Sequence, residues 1–375
     1  MRVCYITDSY PPNIGGAEYA IQKIVEGAAE NNIDVSVITS QARENFSFQS
    51  KIHESVILRI KTPRALQRFW FLILSFFAII KKCKNTDILH GTSYGGVLQT
   101  FIAAKLLRKP CVVTIHEFMG RKWNKFASNF ISAYFFRVSE KIFASLSFDR
   151  FIAVSNYTKK CLIDAGVTES KITVIPNGES DLDLSKLKTK HEVRKELNIP
   201  DDKFVFAAFG RTGLTKGLDY VVDAIPDVLD KIPNAVFILI LSFGDKKIWK
   251  RIINRIENLD RGRVLFYSSL ERSLMLDYLN SSDAIIIPSL SEGFGFTTLE
   301  ACMLNKIVIA ANVGAIPEVI SGKHILIEPA SSEAILNGCI DSVSGIYKNK
   351  PGKEFSWESS VNKYIKVYKE VLHLH

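Results

Sequence analysis

The sequence predicts an α/β protein of two domains, each a parallel sheet covered by helices, and three observations carry that prediction. Short β-branched runs alternate with stretches of helical periodicity from end to end of the chain. The 375 residues exceed the roughly 250–300 at which a single hydrophobic core stops growing. A polar stretch, residues 177–202, interrupts the alternation once. Two such halves are expected to face each other across a ligand cleft at the carboxyl ends of their strands.

The first half, residues 1–180, contains apolar runs of strand length separated by helical stretches such as 17–31 and 98–107. The runs are rich in valine and isoleucine, which is typical of strands buried on both faces of a parallel sheet. The predicted strands are residues 3–7, 35–39, 56–60, 88–90, 112–115, 151–154 and 172–175.

The polar stretch that follows suits an interdomain connection with one helix at 191–197. The alternation then resumes in a second domain, residues 200–355. Its predicted strands are residues 204–209, 236–241, 264–267, 284–288, 307–311 and 325–327.

The composition excludes a disordered chain, because 47% of the residues are hydrophobic. The charge is unevenly distributed: residues 1–180 hold 23 Lys and Arg against 14 Asp and Glu, whereas residues 181–375 hold 25 of each. This asymmetry indicates either an anionic partner of the first half or a solvated basic face. The six cysteines include no C-x-x-C pair, which is typical of a reducing, cytoplasmic compartment.

Two basic, aromatic segments of the first half leave two interpretations open. Residues 69–80 form an apolar run beside Arg64, Arg68, Lys81 and Lys82, which is too short to span a membrane. Such a run is first expected to be a buried core helix and second an interfacial one. Residues 121–148 place apolar side chains on one helical face beside Arg121, Lys122, Lys125, Arg137 and Lys141; the apolar positions are Phe126, Phe130, Tyr134, Val138 and Ile142. One interpretation is that both stripes pack on the sheet of their own domain. The other is that both bind an anionic membrane surface.

Several familiar chemistries lack their motifs in this sequence. There is no G-x-x-x-x-G-K-[ST] loop, no G-x-G-x-x-G after a strand, and no G-x-S-x-G elbow. Seven histidines, none paired at ligand spacing, argue against a catalytic metal. Asp181-Leu-Asp183 spells D-x-D, but it lies in the polar connection, where we interpret it as solvated.

Four candidate sites remain. Gly15 and Gly16 follow the first strand and precede a helix, whose N-terminus favours an anion. Arg211 and Lys216 follow the first strand of the second domain, where two cations can bind phosphates without a metal. His116 ends the strand at 112–115; a lone histidine there is more often structural than catalytic.

The fourth candidate is the stretch from Glu292 to Glu300, after the predicted strand 284–288. Its glycines are expected to make a turn with free amides, and Thr297 or Thr298 to cap the following helix. Two carboxylates at this separation can hold different parts of one ligand, such as sugar hydroxyls and a ribose.

These stretches together resemble the family 4 retaining glycosyltransferases of GT-B architecture. The resemblance covers nearly the whole chain in order, and it is most specific in FGRTGLTKG and SEGFGFTTLE; the other matching stretches are PPNIGGAE, VVTIHE, FIAVSNYT and VIPNG. It implies two Rossmann-like domains facing across a cleft, and the stretch FSWESSVNKYIKVY looks like the family's last helix, which crosses back to the N-terminal domain. Residues 1–180 with 356–375 would be the acceptor side, and 200–355 would bind the donor.

The resemblance also implies roles for individual residues. Arg211 and Lys216 would bind the diphosphate of a nucleotide-sugar donor, and Glu300 its ribose. Glu292 would hold hydroxyls of the donor sugar, and the amides of Gly293, Phe294 and Gly295 would assist. Gly15 and Gly16 would face the phosphates, and His116 would lie near the anomeric carbon. The family is metal-independent, so no cofactor is expected.

The sequence departs from the family pattern near the nucleotide. Ser242–Asp245 stands where G-x-G is typical and Ser268 where a glycine is usual, which leaves open whether the donor carries UDP or GDP. Elsewhere, Asn305 also stands where a glycine is usual, but asparagine tolerates positive φ, so the turn is expected to survive. The expected acceptor is a glycan or a lipid-linked sugar of cell-surface polysaccharide or glycoconjugate synthesis. A soluble disaccharide or storage-polysaccharide transferase and a nucleotide-sugar epimerase of similar architecture are the alternatives. With a glycosyltransferase, the anionic partner of the basic half becomes a membrane surface or a phosphate-bearing acceptor rather than nucleic acid.

Overall fold

A computed structural model describes residues 1–13, 15–41, 49–52, 55–63, 67–127, 129–179 and 182–374. The chain divides into two compact units. Unit 1 comprises Met1–Gly178 and Phe355–His375, and unit 2 comprises Glu179–Glu354. The last segment of the chain therefore belongs with the first unit.

Unit 1 is a sheet of eight strands in the order β3-β4-β2-β1-β5-β6-β7-β8. All neighbouring strands are parallel except β3, which runs antiparallel to β4. Its elements are β1 (Arg2–Ile6), α1 (Gly16–Glu30), β2 (Asp34–Gln41), β3 (Gln49–Ile52), β4 (Ser55–Lys61), α2 (Gln67–Leu74), α3 (Phe76–Cys83), β5 (Ile88–Thr92), α4 (Ser93–Leu107), β6 (Cys111–Ile115), α5 (Trp123–Phe126), α6 (Phe130–Ser145), β7 (Arg150–Ala153), α7 (Asn156–Asp164) and β8 (Ile172–Val174).

Unit 2 is a sheet of seven strands in the order β11-β10-β9-β12-β13-β14-β15, parallel except for β15. Its elements are α8 (Lys190–Glu196), β9 (Phe204–Arg211), α9 (Leu218–Lys231), β10 (Ala235–Ser242), α10 (Lys246–Ile256), β11 (Val264–Ser268), α11 (Arg272–Asn280), β12 (Ala284–Ile287), α12 (Phe296–Met303), β13 (Ile307–Ala311), α13 (Ile316–Val319), β14 (Gly322–Ile327), α14 (Ser332–Val343) and β15 (Lys348–Lys350). The chain ends with α15 (Trp357–Leu372) in unit 1.

Each sheet contains one point where the strand order reverses direction. In unit 1 it lies between β1 and β5, and in unit 2 between β9 and β12. Ligands of open parallel sheets bind at the carboxyl ends of the strands beside such a point. The fold therefore predicts a ligand site in each unit: at the loops after β1 and β5 in unit 1, and at the loops after β9 and β12 in unit 2.

Two layers of helix cover the sheet of unit 1. On one side, Val3 and Tyr5 pack with α1 and α15. On the other, Cys4 and Ile6 pack with residues of α2, α3, α4 and α6. The predicted return of the last helix to the N-terminal domain is therefore confirmed, and the contact of α15 with α1 is so close that a side chain at Gly27 would meet Val361.

A buried polar network fixes α15 to the sheet. His90 on β5 bonds through Nδ1 to the Tyr368 hydroxyl at 2.7 Å and through Nε2 to Thr114 Oγ1 at 2.8 Å. Tyr5 and Tyr364 complete the network through Tyr368 and Thr114. Each polar group buried here thus has a partner, which buried hydroxyls and imidazoles require.

Residues 69–80 do not form the buried helix that was the first expectation. Ser75 separates the short helices α2 and α3, and its hydroxyl donates back to the Phe71 carbonyl at 2.5 Å. Each presents a narrow stripe to the sheet, so Phe71 and Ile79 are buried while Phe69 and Phe77 are exposed. No helix in the described part of the chain is long and apolar enough to cross a membrane.

Candidate functional site

The loop after β9 carries the two predicted phosphate-binding cations. Strand β9 continues past its predicted end, because Gly210 and Arg211 pair with Leu241 and Ser242 of β10. Arg211 is therefore the exposed last residue of the strand rather than a loop residue. Its neighbour Thr212 is fully buried and donates to the Ser242 carbonyl at 3.1 Å.

Lys216 reaches the predicted sugar-binding carboxylate. Its Nζ donates to Glu292 Oε1 at 2.5 Å, and Ser289 Oγ donates to the same oxygen at 2.8 Å. The Lys216 side chain is 30% exposed and that of Glu292 is 10% exposed. Residues 76 apart in sequence thus form one charged cluster beside the point where the strand order of unit 2 reverses.

Two close backbone contacts hold this cluster together. Gly217 has φ +63°, and a side chain there would lie 2.2 Å from the Pro288 carbonyl oxygen. Gly314 has φ +56°, and a side chain there would lie 2.1 Å from the Glu292 carbonyl oxygen. The left-handed conformation and the close approach together require glycine at both positions. The loops after β9, β12 and β13 therefore meet with backbone against backbone.

The turn before α12 contains the residues whose amides were predicted to assist donor binding. Gly293, Phe294 and Gly295 lead into the helix, and Gly295 precedes it without a capping side chain. The expectation that Thr297 or Thr298 caps this helix is wrong, because Thr298 lies inside the first turn rather than before it. Thr298 Oγ1 is buried without a hydrogen-bond partner in the described residues. A helix N-terminus without a capping side chain is suited to an anion.

Glu300 lies on α12 and is 6% exposed. Its Oε1 accepts a hydrogen bond from Arg272 Nη2 at 2.7 Å. Arg272 is the first residue of α11, which follows β11, so it reaches this edge from a different connection than the loops after β9, β12 and β13. Sequence reasoning missed Arg272, because an arginine at a helix start has no distinctive motif.

In unit 1, Gly15 and Gly16 stand at the start of α1. Gly15 is the residue before the helix, with extended backbone and no capping side chain, and Gly16 is the first helical residue. The Glu18 carboxylate fills the space where a Gly15 side chain would stand. An anion at this N-terminus therefore has Glu18 as its neighbour.

His116 follows β6 at the carboxyl edge of the unit 1 sheet. Burial lowers its pKa to about 4, so the imidazole is neutral at physiological pH. Its Nε2 is buried and has no hydrogen-bond partner among the described residues. A buried imidazole nitrogen without a protein partner is costly, so a polar group that bonds to it would stabilise it.

Three further buried polar atoms at this edge lack partners in the described part of unit 1. Tyr10 Oη follows β1, Thr92 Oγ1 belongs to the last residue of β5, and Asn177 Oδ1 follows β8. Sequence reasoning did not select them, because each residue type is common in loops. Together with His116 they form a set of unsatisfied groups on one edge of the sheet.

Asp8 is a buried carboxylate that the sequence analysis also missed. It follows β1, is 6% exposed, and accepts from Arg68 Nε of α2 at 2.9 Å. A side chain at Gly95, in the first turn of α4, would collide with it. Helices α2 and α4 therefore fix Asp8 beside the reversal point between β1 and β5.

Metal independence stays a prediction for this chain. No group of three His, Cys, Asp or Glu that could hold an ion occurs in the described residues. Asp181 of the D-x-D sequence lies outside those residues. Asp183 accepts from the Ser185 amide at 3.2 Å, at the start of a single 3₁₀ turn.

Two family models match this chain, one in each half. A Glycosyltransferase Family 4 model matches residues 14–179, and a model of Glycosyl transferases group 1 matches residues 189–345. An uncharacterized 41.2 kDa protein from the cps region of Klebsiella pneumoniae is 27% identical over 98% of this chain and 99% of its own length. An Escherichia coli protein named UDP-Gal:alpha-D-GlcNAc-diphosphoundecaprenol alpha-1,3-galactosyltransferase is 29% identical over 64% of this chain and 61% of its own.

A solved structure of Anabaena HepE in complex with UDP has the same fold, with a TM-score of 0.71 at 18% identity over 100% of this chain and 98% of that one. The two Rossmann-like domains expected of a GT-B protein are thereby confirmed. The first family model lies within the N-terminal part of unit 1 up to its boundary with unit 2, and the second lies within unit 2. The chain belongs to the group 1 glycosyltransferases, with a Glycosyltransferase Family 4 domain in its N-terminal half.

Proposed function

We propose that the protein transfers a sugar from a UDP- or GDP-sugar to a glycan or lipid-linked acceptor of cell-surface polysaccharide or glycoconjugate synthesis, with retention and without a metal ion. The observation that carries the proposal is the Lys216–Glu292 pair beside exposed Arg211 and the uncapped start of α12. This edge offers cations and a helix N-terminus without a capping side chain for a diphosphate, and carboxylates for hydroxyls. The bound UDP of the HepE structure and the donor in the name of the E. coli relative support a nucleotide-sugar donor.

In the proposed reaction, the bond between the anomeric carbon and the diphosphate oxygen breaks. The acceptor oxygen bonds to the same face of the sugar, and its proton passes to the departing phosphate oxygen. Arg211 and Lys216 stabilise the negative charge that develops on the diphosphate. Glu292 binds hydroxyls of the donor sugar, and Glu300 binds the ribose. His116 lies near the anomeric carbon as a neutral imidazole, so it adds no positive charge there.

Because two cations supply the positive charge, no divalent ion is required. We expect EDTA to leave the initial rate of transfer unchanged. A rate that falls with EDTA and recovers with Mg²⁺ or Mn²⁺ would overturn this part of the proposal.

Lys216→Ala is the variant that tests the assignment. Loss of a charge that stabilises the leaving group is expected to raise the barrier by at least ~2–4 kcal/mol. The test begins with a thermal-shift screen of UDP- and GDP-sugars, and release of nucleoside diphosphate is then measured with the sugar that binds. Lys231→Ala, an exposed lysine at the far end of α9, is the matched control and should react as wild type.

Wild-type turnover in Lys216→Ala would contradict the proposal. Conversion of the donor sugar to its epimer, with no glycoside formed, would instead favour the epimerase alternative. Retention is read from the anomeric configuration of the product by NMR.

A further inference from the structure

The outer surface of one helix layer of unit 1 is unusually apolar. Helices α2, α3, α4 and α6 cover the same side of the sheet through inward residues such as Phe71, Ile79, Ala103 and Ala144. Their outward sides carry thirteen exposed large apolar residues, which we call the apolar face: Phe69, Trp70, Ile73, Leu74, Phe77, Ile102, Leu106, Phe130, Ile131, Tyr134, Phe135, Val138 and Ile142. Large apolar clusters on a protein surface mark sites of interaction.

Helix α6 has its burial inverted relative to an ordinary surface helix. Phe130 and Ile131 are 78% and 79% exposed, whereas Glu140 on the same helix is 1% exposed. Glu140 is satisfied there, because its carboxylate accepts from the amides of Met119 and Gly120 at 2.9 and 2.6 Å. The sheet side of α6 is thus fixed by small residues and one bonded carboxylate, and the aromatic side faces outward.

The charges of the same four helices have almost a single sign. They contain six cations, and Glu140 is their only acid. Lys81 and Lys82, one turn beyond Phe77, line a cavity of about 520 Å³ with Arg2, Asp34 and Asn85 among its other walls. Cations thus border the apolar face, and those at the end of α3 can bind phosphate groups.

We propose that the apolar face docks unit 1 onto a bilayer containing anionic phospholipid. Its aromatic and aliphatic side chains enter the boundary between headgroups and acyl chains, and Lys81, Lys82 and their neighbours bind lipid phosphates. This is the chemistry of interfacial helices, which combine a buried apolar side with flanking cations. A second copy of the chain is a poorer occupant, because it would bring the same cations against one another.

The proposal goes beyond the proposed reaction, since the face docks whichever sugar is transferred. It also revises the expectation that these stripes pack on their own sheet. Of the predicted stripe on residues 121–148, Phe126 is buried, while Phe130, Tyr134, Val138 and Ile142 face outward.

The test is co-sedimentation of the full-length protein with phosphatidylcholine vesicles, with and without phosphatidylglycerol. We expect binding to the anionic vesicles that weakens with salt. Phe77→Ser/Phe130→Ser/Ile131→Ser should weaken that binding at least about tenfold, because each side chain is exposed in the free protein and buried in the bilayer. Leu184→Ser/Ile346→Ser is the matched control, since these residues are 50% and 62% exposed in unit 2.

Trp70 gives a direct readout, being 36% exposed within the apolar face. Its fluorescence should shift to shorter wavelength with anionic vesicles and be quenched by brominated lipid, and Trp70→Phe should remove most of both signals. Lys81→Ala/Lys82→Ala should lower binding to anionic vesicles and reduce its salt dependence.

Absence of vesicle binding at low salt, or wild-type binding by the triple serine variant, would overturn the proposal. So would a dimer in sedimentation velocity that the triple variant abolishes while vesicle binding persists. Lys216→Ala should bind vesicles normally, and the triple variant should still release nucleoside diphosphate in solution. Failure of the docking face and failure of the proposed reaction are therefore told apart.

Discussion

Each of the two predicted carboxylates lies against a cation. Glu292 accepts from Lys216, and Glu300 accepts from Arg272. The pairs neutralise two nearly buried carboxylates, which would otherwise be expensive to keep out of water. They also set the orientation in which the carboxylates meet a donor.

Arg272 is expected to act as a positioning residue for Glu300. Arg272→Ala should raise the donor KM about fivefold, which corresponds to about 1 kcal/mol of lost orientation, with little change in kcat. The unfolding temperature should also fall, because the variant leaves the nearly buried Glu300 carboxylate without this cation. Steady-state kinetics with varied donor provide the measurement.

Two further variants make the Arg272 result specific. Arg272→Lys should restore most of the affinity, and Arg251→Ala, a half-exposed arginine paired with Asp219 and Asp223, should not alter KM. An unchanged donor KM in Arg272→Ala would show that the ion pair does not orient Glu300.

His116 makes a prediction about pH. Burial lowers its pKa to about 4, so the imidazole remains neutral from pH 6 to pH 8 and gains a proton only in strong acid. The kcat/KM profile across pH 6–8 should therefore keep its shape in His116→Asn while its height falls. A limb near pH 6.5 that is present in wild type and lost in the variant would contradict this assignment.

At the scale of elements, close backbone contacts decide the geometry of the unit 2 edge. Gly217→Ala would force a side chain against the Pro288 carbonyl and into positive φ, separating the loops after β9 and β12. We expect both a lower unfolding temperature and a loss of donor binding by thermal shift.

Gly345→Ala separates the cost of the positive φ from the cost of the contact with the Pro288 carbonyl. It has φ +73° with no atom within 4 Å of the added carbon, so it should cost only the roughly 1–2 kcal/mol of a left-handed residue. If the two alanine variants bind donor equally well, the contact at Pro288 is not what holds the phosphate-binding loop.

The network around His90 makes the attachment of α15 sensitive to acid. Burial chiefly, and the charge of His116 secondarily, lower the His90 pKa to about 3. The unfolded chain, with an ordinary pKa near 6.5, binds this proton more readily, so stability is lost as pH falls from about 6.5 toward 3. This one group should lower the free energy of unfolding by about 2 kcal/mol between pH 7 and pH 5.

Urea unfolding of wild type and His90→Gln at the two pH values measures that contribution as a difference of differences. The variant should be less stable at pH 7 but lose less on acidification. Equal losses in both proteins would mean that another group carries the acid sensitivity.

At the scale of the whole molecule, charge and chemistry are assigned to different units. Unit 1 holds 26 Lys and Arg against 15 Asp and Glu, and unit 2 holds 22 against 24. The proposed diphosphate site therefore depends on a few local cations in a nearly neutral unit. The large positive surplus belongs to the unit with the apolar face.

This division predicts which backbone amides a bound nucleotide protects from hydrogen exchange. Hydrogen exchange with saturating UDP or GDP should slow amides of the loops after β9 and β12 and at the start of α12. The helices α2, α3 and α6 should exchange as in the free protein. Slowing in those helices without slowing at 211–217 would contradict the assignment of the donor to unit 2.

The sequence was informative wherever a local pattern has one structural solution. The predicted valine- and isoleucine-rich runs are strands in the structure, because such runs suit only positions buried on both sides of a sheet. Asn305 does adopt positive φ, at +55°, as its short polar side chain allows. The last helix was placed correctly by resemblance rather than by its own pattern.

Other features depend on neighbours that no local pattern specifies. Helical periodicity places Phe130 and Tyr134 on one face of α6, but only the packed sheet decides that this face points outward while Glu140 points inward. The pairing of Lys216 with Glu292, and the unsatisfied atoms of Thr92, His116 and Asn177, arise where separate loops meet. The sequence by itself therefore determined the strands, the two domains and the family; only the tertiary structure decided which charges meet and which apolar faces remain exposed, because burial is a property of the assembled sheet.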